Sequence, residues 1–132
     1  MTFHLQIVTP DGSFFDGEAE KLIVRAQGGD VCILPRHAPF VTPLGVGEAA
    51  VVLSGGLRRS AACSGGMLSV TDDDVRLVAT TFEWAEDIDK ARAERAEEKA
   101  RAKIERAKNA AELDMAKAKL ARALTRAKVA GK

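Results

Sequence analysis

The sequence predicts an α+β protein in which an N-terminal all-β sandwich is followed by a C-terminal antiparallel two-helix hairpin. The 4 prolines and all but one of the 11 glycines precede residue 85, as expected for short strands joined by turns. From about Asp87 onward, alanine, lysine, arginine and glutamate dominate, and these residues are strong helix formers. We therefore assign residues 1–84 to the sandwich and residues 85–132 to the hairpin.

Short apolar segments alternate with turn signals throughout the N-terminal part. Proline fixes φ and glycine permits positive φ, so clusters of these residues with Asp or Ser predict turns. The turns recur about every 8–12 residues, which is typical of a sandwich. The predicted strands cover residues 4–8, 14–15, 20–26, 31–34, 48–53, 57–63, 67–70 and 75–79.

The C-terminal part shows two apolar stripes at helical spacing, and Asp87 or Asp89 can stabilise the start of the first helix. The spacing changes near Asn109, which predicts the turn between two helices. Because the first stripe is mostly alanine, it buries little apolar surface, and we expect the helices to separate readily. The stripes comprise Ile88, Ala93, Ala96, Ala100, Ile104 and Ala107, then Leu113, Ala116, Leu120, Leu124 and Ala127.

Charge is divided unevenly along the chain. The formal net charge of +1 argues against a nucleic-acid binder, because neutralising phosphates requires a basic surplus. Residues 1–87 carry 6 basic and 12 acidic side chains, a net of −6, whereas residues 88–132 carry 14 and 7, a net of +7. An acidic body with a basic tail predicts two parts with different partners.

The remaining composition points to a cytoplasmic protein that reaches a membrane only through a partner. No apolar stretch approaches the ~20 residues that span a bilayer, and the N-terminus lacks the basic and apolar regions of a signal peptide. Cys32 and Cys63 have no metal-type spacing, so we expect two reduced core residues.

Four segments of the chain resemble, in order, motifs of the epsilon subunit of bacterial F-type ATP synthase. Residues 29–40, GDVCILPRHAPF, are similar to the family signature G-[ED]-x-G-I-L-P-G-H-A-P. Residues 8–12, 64–70 and 86–93 match its first strand and turn, its S-G-G-x-[LV]-x-V segment and its E-D-I-D-x-x-R-A stretch. Cys32 and Arg36 stand where the family usually has glycine, which leaves the loop shape open.

The resemblance implies a rotor subunit that performs no chemistry itself. The family's sandwich binds the gamma subunit and the c-ring, and it helps to couple proton flow to ATP synthesis at the cytoplasmic face of the plasma membrane. Its tail permits turnover when folded, and when extended it reaches the alpha/beta catalytic hexamer and inhibits ATP hydrolysis. By resemblance, the partner-binding residues are Asp30, Val31, Pro35, Arg36, His37, Ala38, Pro39 and Phe40.

The tail also contains a candidate nucleotide site. An antiparallel pair turning near residues 109–110 places Arg92 opposite Ala127 and close to Arg126, and Arg122 shares a face with Arg126. Converging guanidinium groups repel one another unless an anion relieves them, and they bind phosphate in a bidentate manner. The alternative is that the tail has no nucleotide site: Asp89 is then a first-turn acid paired with Arg92, and the other arginines form a solvated face.

Part of the family binds ATP through an I-D-x-x-R-A motif that holds the tail folded. The matching residues in this chain imply ATP as a regulatory ligand. Lys99 stands where nucleotide-binding members have arginine, which predicts weaker binding because lysine cannot form a bidentate contact. The implied set is Glu83, Ile88, Asp89, Arg92, Ala93, Lys99, Arg122 and Arg126.

No residues predict catalysis or a metal site. His37 has no carboxylate or cysteine placed to make it a metal ligand or a triad member, so we expect loop packing or a subunit contact. The paired glycines lack the spacing of a phosphate loop and are expected in turns. Two competing functions remain, a stand-alone ATP-binding sensor and an adaptor domain, and co-purification with a gamma subunit separates both from a rotor subunit.

Overall fold

The computed structural model describes residues 1–132 as two units, Met1–Trp84 and Ala85–Lys132. The first unit is a β-sandwich and the second contains two helices, which confirms the predicted fold class. A short 3₁₀ helix covers Ala85–Asp87. The elements are β1 Phe3–Thr9, β2 Gly12–Ala26, β3 Gly29–Ile33, β4 Phe40–Pro43, β5 Val46–Leu53, β6 Arg58–Thr71, β7 Asp74–Trp84, α1 Lys90–Arg106 and α2 Ala110–Val129.

The strands follow the order β1-β7-β6-β5-β2-β3, and a further pairing of β1 with β2 closes the sheet around its core. Strands β1 and β7 run parallel, whereas the other pairs are antiparallel. The long strand β2 makes closure possible, because its first part pairs with β1 and its second part with β5 and β3. The largest core side chains include Phe3, Leu5, Ile7, Leu22, Ile33, Leu68 and Leu77.

Strand β6 is continuous through Ser64-Gly65-Gly66, so the prediction of two separate strands there was wrong. Gly65 and Gly66 adopt φ values of 66° and 112°, and a Cβ on Gly66 would lie 1.8 Å from the carbonyl oxygen of Val78. The pair changes which alternate residues face the core, from Cys63 before it to Leu68 after it. Glycine therefore redirects the strand without interrupting its pairing with β7.

Strand β4 was not predicted from the sequence, because its four residues follow Pro39 and end at Pro43, and such a segment looks like loop. It pairs with β6 alone, so it is an edge strand, where a proline without an N–H group is tolerated. Strand β7 also runs beyond the predicted end at residue 79, as far as Trp84.

An aromatic cluster explains why β7 continues to residue 84. The ring centroids of Phe82 and Trp84 are 5.2 Å apart, and Phe14 lies 5.2 Å and 5.7 Å from these two rings. The guanidinium carbon of Arg59 lies 3.8 Å from the centroid of the Trp84 ring, which is a cation–π geometry. The last residues of β7 are therefore buried against aromatic partners and remain in the sheet.

The two cysteines occupy different environments. Cys63 is buried, and this burial raises the pKa of its thiol to about 12. Cys32 is exposed on β3, opposite Ile23, so the prediction that both cysteines lie in the core was wrong for Cys32. Successive side chains of β3 point to opposite faces of the sheet, so Ile33 is buried and its neighbour Cys32 points outward. The φ of Cys32 is not positive, so this position is an ordinary strand residue.

The helical unit is an antiparallel hairpin with a capped turn. The Asp89 carboxylate accepts a hydrogen bond from the Arg92 N–H at 3.0 Å and caps α1. The side chain of Asn109 caps α2 by accepting from the Glu112 N–H at 2.9 Å. At the other end, the Gly131 N–H donates to the Ala85 carbonyl at 3.1 Å, so the end of α2 lies beside the segment that precedes α1.

The buried residues of the two helices are mostly small. Ala93, Ala100, Ala116 and Ala123 are buried in the helices, with Val129 at the end of α2. Leu124, placed in the second stripe by the sequence reading, is 39% exposed, and Ala123 takes the inward position instead. Since apolar burial stabilises by about 0.8 kcal/mol per CH₂ group, an alanine-lined interface contributes little per residue.

A histidine between two carboxylates joins three strands on the outer surface of the sandwich. His4 Nδ1 lies 3.0 Å from Asp74 Oδ1, and its Nε2 lies 2.5 Å from Asp16 Oδ1. The hydrogen bond with Asp16, and then that with Asp74, raise the pKa of His4 above its ordinary value of 6.5. Both ring nitrogens donate only when the ring is protonated, so the cationic form satisfies both carboxylates.

We expect this triplet to make the stability of the sandwich depend on pH. Because the folded pKa of His4 is raised, its contribution is complete below the unfolded pKa and is lost as the pH rises through the folded pKa. The free energy of unfolding of the wild type relative to His4→Gln should therefore be greatest near pH 5 and smallest near pH 8. We expect a change of about 0.2–1 kcal/mol, since both contacts are exposed to solvent.

Denaturation followed by the fluorescence of Trp84, the single tryptophan, measures this difference in the sandwich unit. The variant Gln6→Ala, on the same face of β1, serves as a control whose effect should not change with pH. A wild-type advantage over His4→Gln that is equal at both pH values would contradict the assignment.

Candidate functional site

The loop between β3 and β4 carries most of the predicted partner-binding residues. Arg36 adopts a φ of 64°, in the left-handed region that favours glycine. Its N–H donates to Asp73 Oδ1 at 2.6 Å, and the His37 N–H donates to the Leu34 carbonyl at 3.2 Å. The loop thus keeps a left-handed turn without the family's glycine, because the Asp73 carboxylate holds the strained backbone in place.

Asp73 links this loop to the rest of the sandwich. Asp72 and Asp73 form the turn between β6 and β7, with φ values of 42° and 61°. The Asp73 carbonyl accepts a hydrogen bond from the His4 N–H at 2.9 Å, while its carboxylate binds Arg36. One residue therefore connects the start of β1, the β6–β7 turn and the predicted partner loop.

The other predicted partner residues lie on both sides of this loop. Asp30 and Val31 belong to β3, and the Asp30 carboxylate pairs with Arg25 Nε at 2.6 Å. The rings of His37 and Phe40 are 5.8 Å apart, and the Nδ1 of His37 lies 2.7 Å from the Ala38 carbonyl. These contacts pack the His37 ring within the loop, and a subunit contact through His37 stays a prediction. The loop comprises residues 34–39, in which the predicted residues are Pro35, Arg36, His37, Ala38 and Pro39, and Phe40 begins β4.

A row of apolar side chains crosses the outer face of the sandwich and was not foreseen from the sequence. The strand registers align Pro43 with Met67, Met67 with Val78, and Val78 with Val8, so the row spans β4, β6, β7 and β1. Met67 is 44% exposed and Val78 is 42% exposed, and Val41 extends the row at 62%. We call these five residues the apolar row.

The apolar row could not be found by alternation alone. Before the pair Gly65-Gly66 the odd-numbered residues of β6 face the core, and after it the even-numbered ones do. Met67 therefore faces outward while its neighbour Leu68 is buried. The only signal in the sequence is that two apolar residues stand next to each other in strands where apolar and polar residues otherwise alternate.

The residues predicted to bind a nucleotide fall in both units. Glu83 is a half-buried residue of β7, whereas the other seven belong to the helical unit. Ala93 is fully buried in α1, and Ile88 is buried just before it. Asp89 caps α1 through the Arg92 backbone, and the two side chains form no ion pair. Asp89 is thus the N-cap of α1, and not the first-turn acid paired with the Arg92 side chain that the alternative interpretation describes.

The basic members of this set lie on exposed or half-buried helix positions. Arg92 and Lys99 are exposed on α1, and Arg122 and Arg126 are half-buried on α2, one helical turn apart. Neither Arg92 nor Arg122 forms an ion pair with a carboxylate. In contrast, Arg101 on α1 pairs with Glu97 at 3.0 Å.

No three His, Cys, Asp or Glu side chains are grouped in a way that could hold a metal ion. Neither helix combines the length and the apolar character that crossing a membrane requires.

Both units match family models of one kind of protein. Residues 2–85 match the model described as the ATP synthase delta/epsilon chain beta-sandwich domain, and residues 86–131 match its long alpha-helix domain. Among curated relatives, a protein of Bacillus velezensis is 46% identical over 96 residues, covering 73% of this chain and 72% of its own length. One of Alkaliphilus oremlandii is 43% identical, with 73% and 71% covered. Both are called ATP synthase epsilon chain.

Solved structures show the same architecture at lower identity. A chain from the Euglena gracilis mitochondrial ATP synthase complex of OSCP, F1 and c-ring gives a TM-score of 0.81 at 24% identity, covering 91% of this chain and 76% of that one. A chain from the central stalk and c-ring of the Tetrahymena thermophila mitochondrial enzyme gives 0.67 at 15%, covering 95% and 93%. At these identities the likeness concerns the fold.

A β-sandwich followed by a helical domain of this kind defines a delta/epsilon-type subunit of an ATP synthase. The chain belongs to the ATP synthase delta/epsilon family and, by its relatives, to the bacterial epsilon chains. The resemblance found in the sequence motifs is therefore confirmed.

Proposed function

We propose that this chain is a non-catalytic rotor subunit of the central stalk, whose sandwich docks on the gamma subunit and the c-ring. In this role it couples proton flow to ATP synthesis as a peripheral protein at the cytoplasmic face of the plasma membrane. The observation that carries the docking proposal is the apolar row, supported by the central-stalk structures that share this fold.

The apolar row has the properties of a protein contact surface. Contiguous apolar side chains on the outer face of a sheet are unfavourable in water unless a partner covers them. The row crosses four paired strands, so its backbone is held rigidly and little ordering is required on docking.

The partner loop is held at the end of the strands that carry the row. Met67 precedes the β6–β7 turn by five residues, and the Asp73 carboxylate of that turn binds the Arg36 backbone. The turn therefore lies about 15 Å along the strand from the row, a span that one standard protein interface covers. We propose that the gamma subunit contacts the row and that the loop extends the contact toward the c-ring.

Charge substitution in the apolar row should abolish docking. In the double variant Met67→Lys, Val78→Lys, each outward side chain remains exposed when the chain is free, so the sandwich should still fold. Placing two ammonium groups in an apolar contact should weaken binding to a purified gamma subunit at least about 30-fold. Co-purification and surface plasmon resonance measure the loss.

The matched control is Leu57→Lys, at an apolar residue that is 64% exposed in the turn before β6. This variant places one ammonium group, half the charge of the double variant, away from the row and should bind like the wild type. Docking that survives the double variant would reject the row as the stalk contact, and no gamma binding by the wild type would reject the rotor role.

We further propose that the hairpin regulates the enzyme. An extended tail would reach the alpha/beta hexamer and inhibit ATP hydrolysis, and its net charge of +7 over residues 88–132 would be attracted by an acidic surface there. The weak alanine interface supports this proposal, because the helices lose little packing when they separate.

We also propose that ATP binds to the hairpin when its two helices are folded together. Arg92 and Arg122 lack carboxylate partners, and guanidinium groups bind phosphate in a bidentate manner. Lys99 offers a single ammonium where nucleotide-binding relatives have arginine, so we expect modest affinity. Binding would favour the folded hairpin only to the extent that ATP binds that state more tightly.

Calorimetric titration of the chain with ATP, with and without Mg²⁺, tests the nucleotide site. We expect saturable heat in the wild type and its loss in Arg92→Ala, Arg126→Ala, because the phosphate contacts are removed. The control Arg95→Ala, Arg101→Ala removes equal charge elsewhere on α1 and should bind normally. Absence of heat at millimolar ATP would leave the arginines as a solvated or hexamer-facing surface.

A further inference from the structure

One hydrogen bond joins the partner loop, residues 34–39, to the rest of the sandwich. The Arg36 N–H donates to Asp73 Oδ1 at 2.6 Å, whereas the other hydrogen bonds of the loop join its own residues to one another. Pro35 and Pro39 have no N–H groups, so they cannot donate further bonds to the sandwich. The position of the loop therefore depends on Asp73, a residue outside the predicted partner-binding set.

This bond opposes a backbone preference of Arg36. Its φ of 64° lies in the left-handed region, where the Cβ of a side chain crowds the following carbonyl oxygen. For a residue other than glycine, this crowding lowers the population of the left-handed conformation about 5- to 30-fold relative to right-handed backbone. A hydrogen bond from an N–H group to a carboxylate is charge-assisted and is strong enough to offset this preference.

The Asp73 carboxylate is itself held in a fixed position. Asp73 lies in the β6–β7 turn with a φ of 61°, and its carbonyl accepts a hydrogen bond from the His4 N–H at 2.9 Å. Strand β1 therefore fixes the backbone of Asp73, while its carboxylate binds Arg36. Asp72, its neighbour in the same turn, has a φ of 42° and forms no hydrogen bond with the partner loop.

We propose that Asp73 is a positioning residue for docking, which keeps the partner loop in the conformation that the rotor binds. This role rests on the proposed docking of the sandwich on the gamma subunit and the c-ring. When only a fraction of the molecules holds the binding conformation, the apparent Kd rises in inverse proportion to that fraction. Asp73 thus raises the affinity without contacting the partner, because this chain has arginine where glycine would adopt the turn freely.

Removing the Asp73 carboxylate should weaken docking on a purified complex of the gamma subunit with the c-ring. Asp73→Gly is the suitable variant, because glycine tolerates the left-handed φ of the turn. We expect the Kd, measured by surface plasmon resonance, to rise about 3- to 30-fold. The loss should be greater than for the gamma subunit alone, since the loop extends the contact toward the c-ring.

The same substitution in the Arg36→Gly background distinguishes positioning from a general structural role. Glycine adopts positive φ about as readily as negative φ, so the loop no longer needs the carboxylate. Adding Asp73→Gly to Arg36→Gly should therefore change the Kd less than about twofold, whatever affinity Arg36→Gly has by itself. A general structural role of Asp73 in the sandwich would instead lower the affinity equally in both backgrounds.

Two controls separate the lost hydrogen bond from other effects of the substitution. Asp72→Gly removes the same charge and introduces the same glycine in the same turn, and it should dock as the wild type does. In the free chain, hydrogen exchange at the Arg36 amide should be about 5- to 30-fold faster in Asp73→Gly than in the wild type. Denaturation followed by Trp84 fluorescence verifies that each variant folds.

Docking of Asp73→Gly with the wild-type Kd would overturn the positioning role, and so would an equal loss in both Arg36 backgrounds or in Asp72→Gly. Docking too weak to measure in Arg36→Gly would overturn it as well, because the guanidinium group and not the loop conformation would then make the contact. If the wild type itself does not bind the complex of gamma subunit and c-ring, the proposed function is rejected, and the positioning role falls with it.

Discussion

The sandwich depends on a close approach of two backbones at Gly66. A side chain at this position would place its Cβ 1.8 Å from the Val78 carbonyl oxygen, so only glycine lets β6 and β7 pair there. Strand β6 is the partner of β4, β5 and β7, and its continuity holds these strands in one sheet. The Gly65-Gly66 pair also leaves Met67 facing outward beside buried Leu68, opposite Val78 of β7 in the apolar row.

The two units differ in what stabilises them. The sandwich encloses large aliphatic side chains such as Leu5, Ile7 and Leu68, together with the aromatic cluster around Trp84. The hairpin buries mainly alanines. Fully burying a leucine side chain contributes about 1.5–3 kcal/mol, so each core position of the sandwich contributes more than an alanine of the hairpin. We therefore expect the sandwich to be the more stable unit and the hairpin to open more readily.

The fold class was predictable because its signals are local. Turn glycines and prolines mark the strands, and the alanine-rich composition marks the helices, so neither required knowledge of tertiary contacts. The hairpin turn was predictable as well, since the apolar spacing changes near Asn109, which the structure shows to cap α2. The family resemblance, carried by short motifs in order, was confirmed by matches to both domains.

Features that depend on tertiary geometry were not predictable from sequence. The alternation of inward- and outward-facing residues in β6 shifts at Gly65-Gly66. The apolar row can therefore be identified only from the strand registers. Cys32 and Leu124 lie on outer faces because the strand alternation and the helix phase select Ile33 and Ala123 instead. The left-handed conformation of Arg36 depends on Asp73, a residue 37 positions away.

Native-state hydrogen exchange of the full chain tests most directly whether a stable sandwich carries a marginal hairpin. Amides of α1 and α2 should exchange through openings at least about 2 kcal/mol lower in free energy than those of β6 and β7. A single opening free energy shared by helices and strands would contradict this division, because the tail could not then open while the docking body stays folded.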